Sequence, residues 1–269
     1  MPIITIREEQ PTESGFTATL SFDHRVSFPI TIHDPLAAGD EQRWEWYFEE
    51  WLRFPMLDTV RANQIAASIK NYGEALFEQV FGNRKAYTEY EKLRGNLGTL
   101  RLEIESLNPA FQALHWEALR DPELRKPLAV EAVMIRKSSR PTAVAAEVAV
   151  SPTINLLLVT ARPSRNDVAY RTISRHLLEA LEQGNLRVKV DLLRPATFEA
   201  LSKHLEAKGA GYYHLIHFDA HGALLSYEQF NRSESGTDNG LVFKQRYGRR
   251  AIAPYAGIKA FLAMEGEEE

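Results

Sequence analysis

The second half of the chain alternates short apolar runs with amphipathic stretches, and this alternation constrains the fold more than any other feature. Ile154–Thr160 is a largely apolar run halted by Ala161-Arg162-Pro163, as expected of a strand buried on both faces. Residues 167–182 carry Ala169, Ile173, Leu177 and Leu181 four apart on one helical face. Asp167 is placed to cap the start of that helix, and Gly184 to take a left-handed conformation past its end. Residues 186–193 make the next run, ended by Pro195. Thr197 then stands as an N-cap before Phe198, Leu201 and Leu205, the stripe of a second helix closing near Gly209. Residues 212–218 supply a third strand. Strand, helix, strand, helix, strand with short connections predicts an α/β unit, a parallel sheet with helices on its faces. Ligands of such sheets bind beyond the carboxyl ends of the strands.

The first half has a different texture. Phe16, Ala18, Leu20 and Phe22 alternate with polar residues, Asp23-His24 intervene, and Val26, Phe28, Ile30 and Ile32 alternate again, the period of a half-buried hairpin. Trp44, Trp46, Tyr47, Phe48 and Trp51 crowd one helical segment. Ile65, Ile69, Leu76 and Val80 return at helical spacing, so core packing accounts for these side chains better than a ligand cage. Leu100, Leu102 and Ile104 alternate as a strand, and residues 128–135 read as one more. The chain therefore divides into a mixed α/β region over residues 1–150 and a regular α/β region over 151–269. A seam rich in Ser, Pro, Ala and Val at 138–152 joins them.

Composition narrows the function classes. A formal net charge of −4 gives no electrostatic footprint for nucleic acid or an acidic membrane. The N-terminus lacks the apolar core of a signal peptide, and no stretch reaches membrane-spanning length, so a cytoplasmic location is expected. With no cysteine among 269 residues, the chain holds no disulfide, no thiolate metal site and no cysteine nucleophile of its own. No cofactor motif is present.

The chemistry concentrates in Tyr213-His214-Leu215-Ile216-His217-Phe218-Asp219-Ala220-His221-Gly222, where the third strand reaches the carboxyl edge of the sheet. If the segment stays extended, His217, Asp219 and His221 share one face and His214 takes the other. One reading makes the first three a metal site, in a segment whose Asp-Ala-His also occurs in manganese-dependent ureohydrolases. A second has His214 and His217 hydrogen-bonded in the core, the preferred account of His214.

The third reading comes from the whole segment. A buried strand ending His-Phe-Asp-Ala-His-Gly resembles the CHAT family of caspase-like cysteine peptidases, within the wider caspase, separase and gingipain group, where a strand ends in a His-Gly pair. Tyr72-Gly73-Glu74-Ala75-Leu76-Phe77-Glu78-Gln79-Val80-Phe81 is similar to the family's upstream helix. Leu114-His115-Trp116-Glu117-Ala118-Leu119-Arg120-Asp121-Pro122 is similar to its Leu-Pro-Trp-Glu-Leu-Leu strand-turn, with histidine where proline is common. Leu193-Arg194-Pro195-Ala196-Thr197-Phe198-Glu199-Ala200-Leu201 and Gly240-Leu241-Val242-Phe243 follow in the family's order, so the resemblance covers residue 72 onward.

The resemblance implies a caspase-like, doubly wound, mainly parallel sheet and an endopeptidase that cleaves a protein or peptide substrate without metal. His221 would carry the proton, Gly222 would offer its backbone N–H to the oxyanion, and His217 and Asp219 would stand behind them. Arg162, at the same edge, would pair with a substrate carboxylate or else be a surface charge. The family's nucleophile commonly closes the next core strand as Asn-Ala-Cys. Here a polar loop over 226–240, a strand-like 241–245 and a short helix over 256–264 bring the chain to Glu269, so the sheet is expected to be incomplete at its C-terminal end. Two expectations follow: a peptidase completed by a downstream chain or domain carrying the cysteine, or an inactive caspase-like module that binds a protein.

Overall fold

The computed structural model describes residues 1–138, 150–163, 167, 171–231 and 252–266, with backbone only at 53 and 171–173. The chain falls into two compact units, Met1–Pro141 and Thr142–Glu269. Most of the seam expected at 138–152, and the strand expected at 241–245, lie outside the described residues.

The first unit is built on a five-stranded mixed sheet. Its strands are β1 (Ile3–Pro11), β2 (Phe16–Phe22), β3 (Val26–Ile32), β4 (Arg101–Glu105) and β5 (Val133–Lys137), in the order β3-β2-β1-β4-β5. The β2–β3 hairpin turns at Asp23 and His24, both left-handed (φ 48° and 56°), a turn whose twist matches that of the flanking strands. β1 is an addition to the expected strands; its Ile4 and Ile6 alternate into the core, and it pairs antiparallel with β2 and parallel with β4. The helices of this unit are α1 (Asp40–Glu45), α2 (Thr59–Phe81), α3 (Arg84–Arg94) and the short α4 (Pro109–Ala113) and α5 (Leu128–Glu131). Leu76, Phe77 and Val80 of α2 pack with the inward face of the sheet, joined by the fully buried Trp116, whose Nε1 donates to the Phe111 carbonyl at 2.9 Å. One expectation is corrected: residues 128–135 are not one strand but α5 followed by β5. Leu114–Pro122, read as a strand-turn, contains a 3₁₀ turn at Trp116–Ala118.

The second unit holds β6 (Ile154–Thr160), α6 (Arg171–Gln183), β7 (Val188–Leu193), α7 (Phe198–Lys208) and β8 (Leu215–Asp219). β7, β6 and β8 form a three-stranded, wholly parallel sheet in that order. Leu157 and Val159 face the Ala200, Leu201 and Leu205 side of α7, and on the opposite face the Thr160 hydroxyl meets Ser174 of α6 at 3.3 Å. Helices therefore touch both faces of β6. Thr197 caps α7 as expected, its Oγ1 accepting from the Ala200 N–H at 3.0 Å, and Gly209 closes the helix with φ 84°. The left-handed residue after α6 is Asn185 (φ 48°), not Gly184.

Past β8 the chain leaves this sheet. β9 (Gly222–Ser226), α8 (Tyr227–Asn231) and β10 (Ile258–Leu262) follow, with β9 and β10 paired antiparallel as a separate two-stranded sheet. β10 overturns the helix expected over 256–264. Gly257, at φ 74°, breaks any helix there, and pairing with β9 supplies the hydrogen bonds that helical propensity alone does not. Among the described residues β8 is, with β7, an edge strand of the parallel sheet, and Leu215, Ile216 and Phe218 are all substantially exposed along it. No described helix is long and apolar enough to cross a membrane.

Candidate functional site

The carboxyl ends of β6, β7 and β8 gather the side chains that carry chemistry. β8 stops at Asp219, and the turn through Ala220 and His221 delivers the His221 imidazole to this edge. Its Nε2 lies 2.6 Å from Oδ1 of Asp167, in the connection between β6 and α6. Asp167 is nearly buried, its side chain 3% exposed, against 18% for His221. A carboxylate so placed fixes the orientation and tautomer of the ring, and its charge lies beside the imidazolium that forms when the ring takes a proton. The cap expected of Asp167 involves residues 168–170, which lie outside the described residues; what the structure shows of the aspartate is its contact with the histidine.

Asp219 has a separate role. Its two oxygens accept from Nη2 of Arg162 at 2.8 and 2.7 Å, and Nη1 of Arg162 donates to the carbonyls of Ala161 and Asp219. Both side chains are about as buried as charged groups become, 5% and 4% exposed. The fork of Arg162 is thus committed to Asp219, which replaces the expected contact with a substrate carboxylate. The pair ties the end of β6 to the end of β8 by side chains where the ladder itself finishes, alongside the Ala161 N–H to Asp219 carbonyl bond of 3.0 Å.

The remaining expected residues sort as follows. His217 sits opposite Leu158 in the β8–β6 register, half-buried. It does not join Asp219 and His221 in one ligand set, because Asp219 faces Arg162 and His221 faces Asp167; among the described residues no three His, Asp or Glu side chains converge on a common point. His214 is structural, with Nδ1 accepting from the Asn155 N–H at 3.1 Å. Gly222 opens β9 opposite Leu262. The neighbouring pair is hydrogen-bonded, Ala263 N–H to His221 carbonyl at 2.8 Å, so by the alternation of an antiparallel ladder the Gly222 N–H points away from β10.

A second cluster lies away from this edge. Tyr213 Oη donates to Asp191 at 2.7 Å and meets His204 Nε2 at 2.5 Å, while Lys208 reaches the same carboxylate at 2.9 Å. The Tyr213 and Lys208 hydrogen bonds hold the Asp191 carboxyl below its ordinary value, and burial first, then Asp191, pushes the Tyr213 phenol well above the usual tyrosine range. These contacts fasten α7 to β7 and the approach to β8.

No protein-family model, curated protein or solved structure matches the chain.

Proposed function

We propose that the second unit is the histidine-bearing part of a CHAT-type, caspase-like cysteine endopeptidase, whose nucleophile comes from a cysteine-bearing strand outside these 269 residues. The observation that carries this reading is the His221 ring held on the buried Asp167 carboxylate at the carboxyl edge of a parallel sheet. A strand aligned along β8 would bring a thiol to that edge. His221, with Nε2 turned to Asp167, would take the thiol proton through Nδ1. The thiolate would add to the scissile carbonyl, and the imidazolium would return the proton to the leaving amine. The outward N–H of Gly222 is available to the oxyanion.

The test is to recover the chain from its native host with whatever binds it, and to treat the assembly with a thiol-directed peptidase probe. Labelling of a cysteine on the associated polypeptide should fall by about 10²-fold or more in His221→Ala. The chain alone should neither take up the probe nor cleave peptides. Turnover by the isolated chain, or labelling indifferent to His221→Ala, would overturn the reading. The complete absence of cysteine favours a second reading, a caspase-like module that binds protein without cleaving it; an associated polypeptide with no reactive cysteine would select that one.

A further inference from the structure

The segment that follows β10 does not simply end the fold. After Ala263 donates to the His221 carbonyl, Met264 packs against the core of the parallel sheet, and the Glu265 N–H donates to the Ala196 carbonyl at 3.0 Å. Backbone bonds at alternate residues are the pattern of an extended peptide laid on a surface. Its path runs from His221 to the carboxyl end of β7, crossing the edge on which ligands of parallel sheets bind.

The Glu265 side chain then enters a small receptor. Oε1 accepts from the Arg162 N–H at 3.2 Å and Oε2 from the Ala196 N–H at 3.0 Å. The donors stand two and three residues past the ends of adjacent parallel strands, where the ladder no longer supplies acceptors. Both residues are buried, Ala196 completely, so their amides need an acceptor from elsewhere. The receptor is stiff, because Arg162 is pinned by Asp219 and Ala196 precedes the capped start of α7. The plug is exposed on both sides, at Leu262 and Gly266, the kind of segment that opens locally before the core does.

We propose that the Arg162 and Ala196 amides form a binding site for the carboxylate of an acidic residue in an extended peptide, and that Glu265 fills this site in cis as a displaceable stand-in. The inference goes beyond the peptidase reading and shares with it only the sheet edge. It is a statement about binding, tested in the chain as it exists, and no nucleophile is needed for it to succeed or fail.

The probes are the tetrapeptide acetyl-Ala-Met-Glu-Gly-amide, which copies residues 263–266, and its Gln counterpart. In Glu265→Ala, amide exchange at Arg162 and Ala196 should quicken while the β6 interior stays protected, and the Glu peptide should restore the protection. Calorimetric titration should find the Glu peptide bound about tenfold more tightly than the Gln peptide, the ratio separating charged from neutral acceptors, and about tenfold more weakly by the wild-type chain than by the variant. Glu265→Gln keeps the side-chain shape and weakens the plug, so it should also admit the Glu peptide if the alanine variant folds poorly. Absence of binding in both variants would show that Glu265 is only a latch on a closed surface. Equal binding of the two peptides would show that the site does not read carboxylates.

Discussion

Removing the Asp219 carboxylate while leaving Arg162 in place should be the most damaging single change in the second unit. Asp219→Asn strands a guanidinium whose side chain is 5% exposed, with two hydrogen bonds to a carboxylate, of 2.8 and 2.7 Å, replaced by at best one to a neutral amide oxygen. A buried charge deprived of its partner costs about 3–5 kcal/mol, whereas replacing both members by apolar residues is often close to neutral. Here the double variant Arg162→Met, Asp219→Leu also loses the donations to the Ala161 and Asp219 carbonyls, each worth about 1 kcal/mol, so it should be destabilised by roughly 2 kcal/mol, less than Asp219→Asn alone. The reporter must be local. All four tryptophans, Trp44, Trp46, Trp51 and Trp116, lie in the first unit, so tryptophan fluorescence in urea reports on that unit and is not the reporter for this change. Exchange of the Leu157 to Val159 amides reads the second unit, and should accelerate by two orders of magnitude or more in Asp219→Asn. The exposed Arg175–Glu179 pair of α6 is the matched comparison, since its loss should hardly register. If Asp219→Asn cost less than about 1 kcal/mol, or the double variant were worse than the single one, water must reach the pair and the lock between β6 and β8 would be refuted.

Two further outcomes are expected. Burial opposes ionisation of Glu103, but Lys137 at 2.7 Å and Arg101 outweigh it and hold the carboxyl below its ordinary value near 4.5; its contribution is therefore present above that value and lost as pH falls through the lower folded one, so the tryptophan-detected urea midpoint should drop on acidification below pH 4.5, and drop less in Glu103→Gln. The outer edge of β8, with Leu215, Ile216 and Phe218 exposed, should promote concentration-dependent self-association that light scattering detects and Ile216→Lys suppresses; an unchanged scattering profile in that variant would place the contact elsewhere.

What the sequence made legible was local. The apolar run at Ile154–Thr160 announces a central strand because burial on both faces leaves little room for polar residues, while Val188–Leu193 alternates Val with Lys189 and Asp191 as a half-buried edge strand does. Thr197 declares its cap because the groups it joins are three residues apart. The site was only half legible. His221 stands out at the end of its strand, but its partner Asp167 is 54 residues away and sits where an N-cap is equally sensible. Arg162 and Asp219, separated by 57 residues, each look like an open charge until the parallel register brings them together. β10 is hidden for the same reason: its alanine-containing sequence favours a helix, and only pairing with β9 makes it a strand.

Each carboxylate at the sheet edge has its own kind of partner, and this bears on what the edge can accept. Asp167 is matched to an imidazole, Asp219 to a guanidinium and Glu265 to two main-chain amides. Counting His221 as neutral, these groups sum to −2, and to −1 with the imidazolium. A fourth carboxylate brought there without a new cation would meet like charge, which raises the cost of ionisation for every acid present. An acidic peptide therefore joins the edge most readily in the place of Glu265, because the Arg162 and Ala196 amides that hold it are dipoles and do not distinguish one carboxylate from another. Asp167 and Asp219 are not exchangeable in this way, because losing Asp219 would leave the buried Arg162 guanidinium unpaired and losing Asp167 would release the His221 ring. The edge thus has two fixed carboxylates that build it and one replaceable carboxylate that fills it.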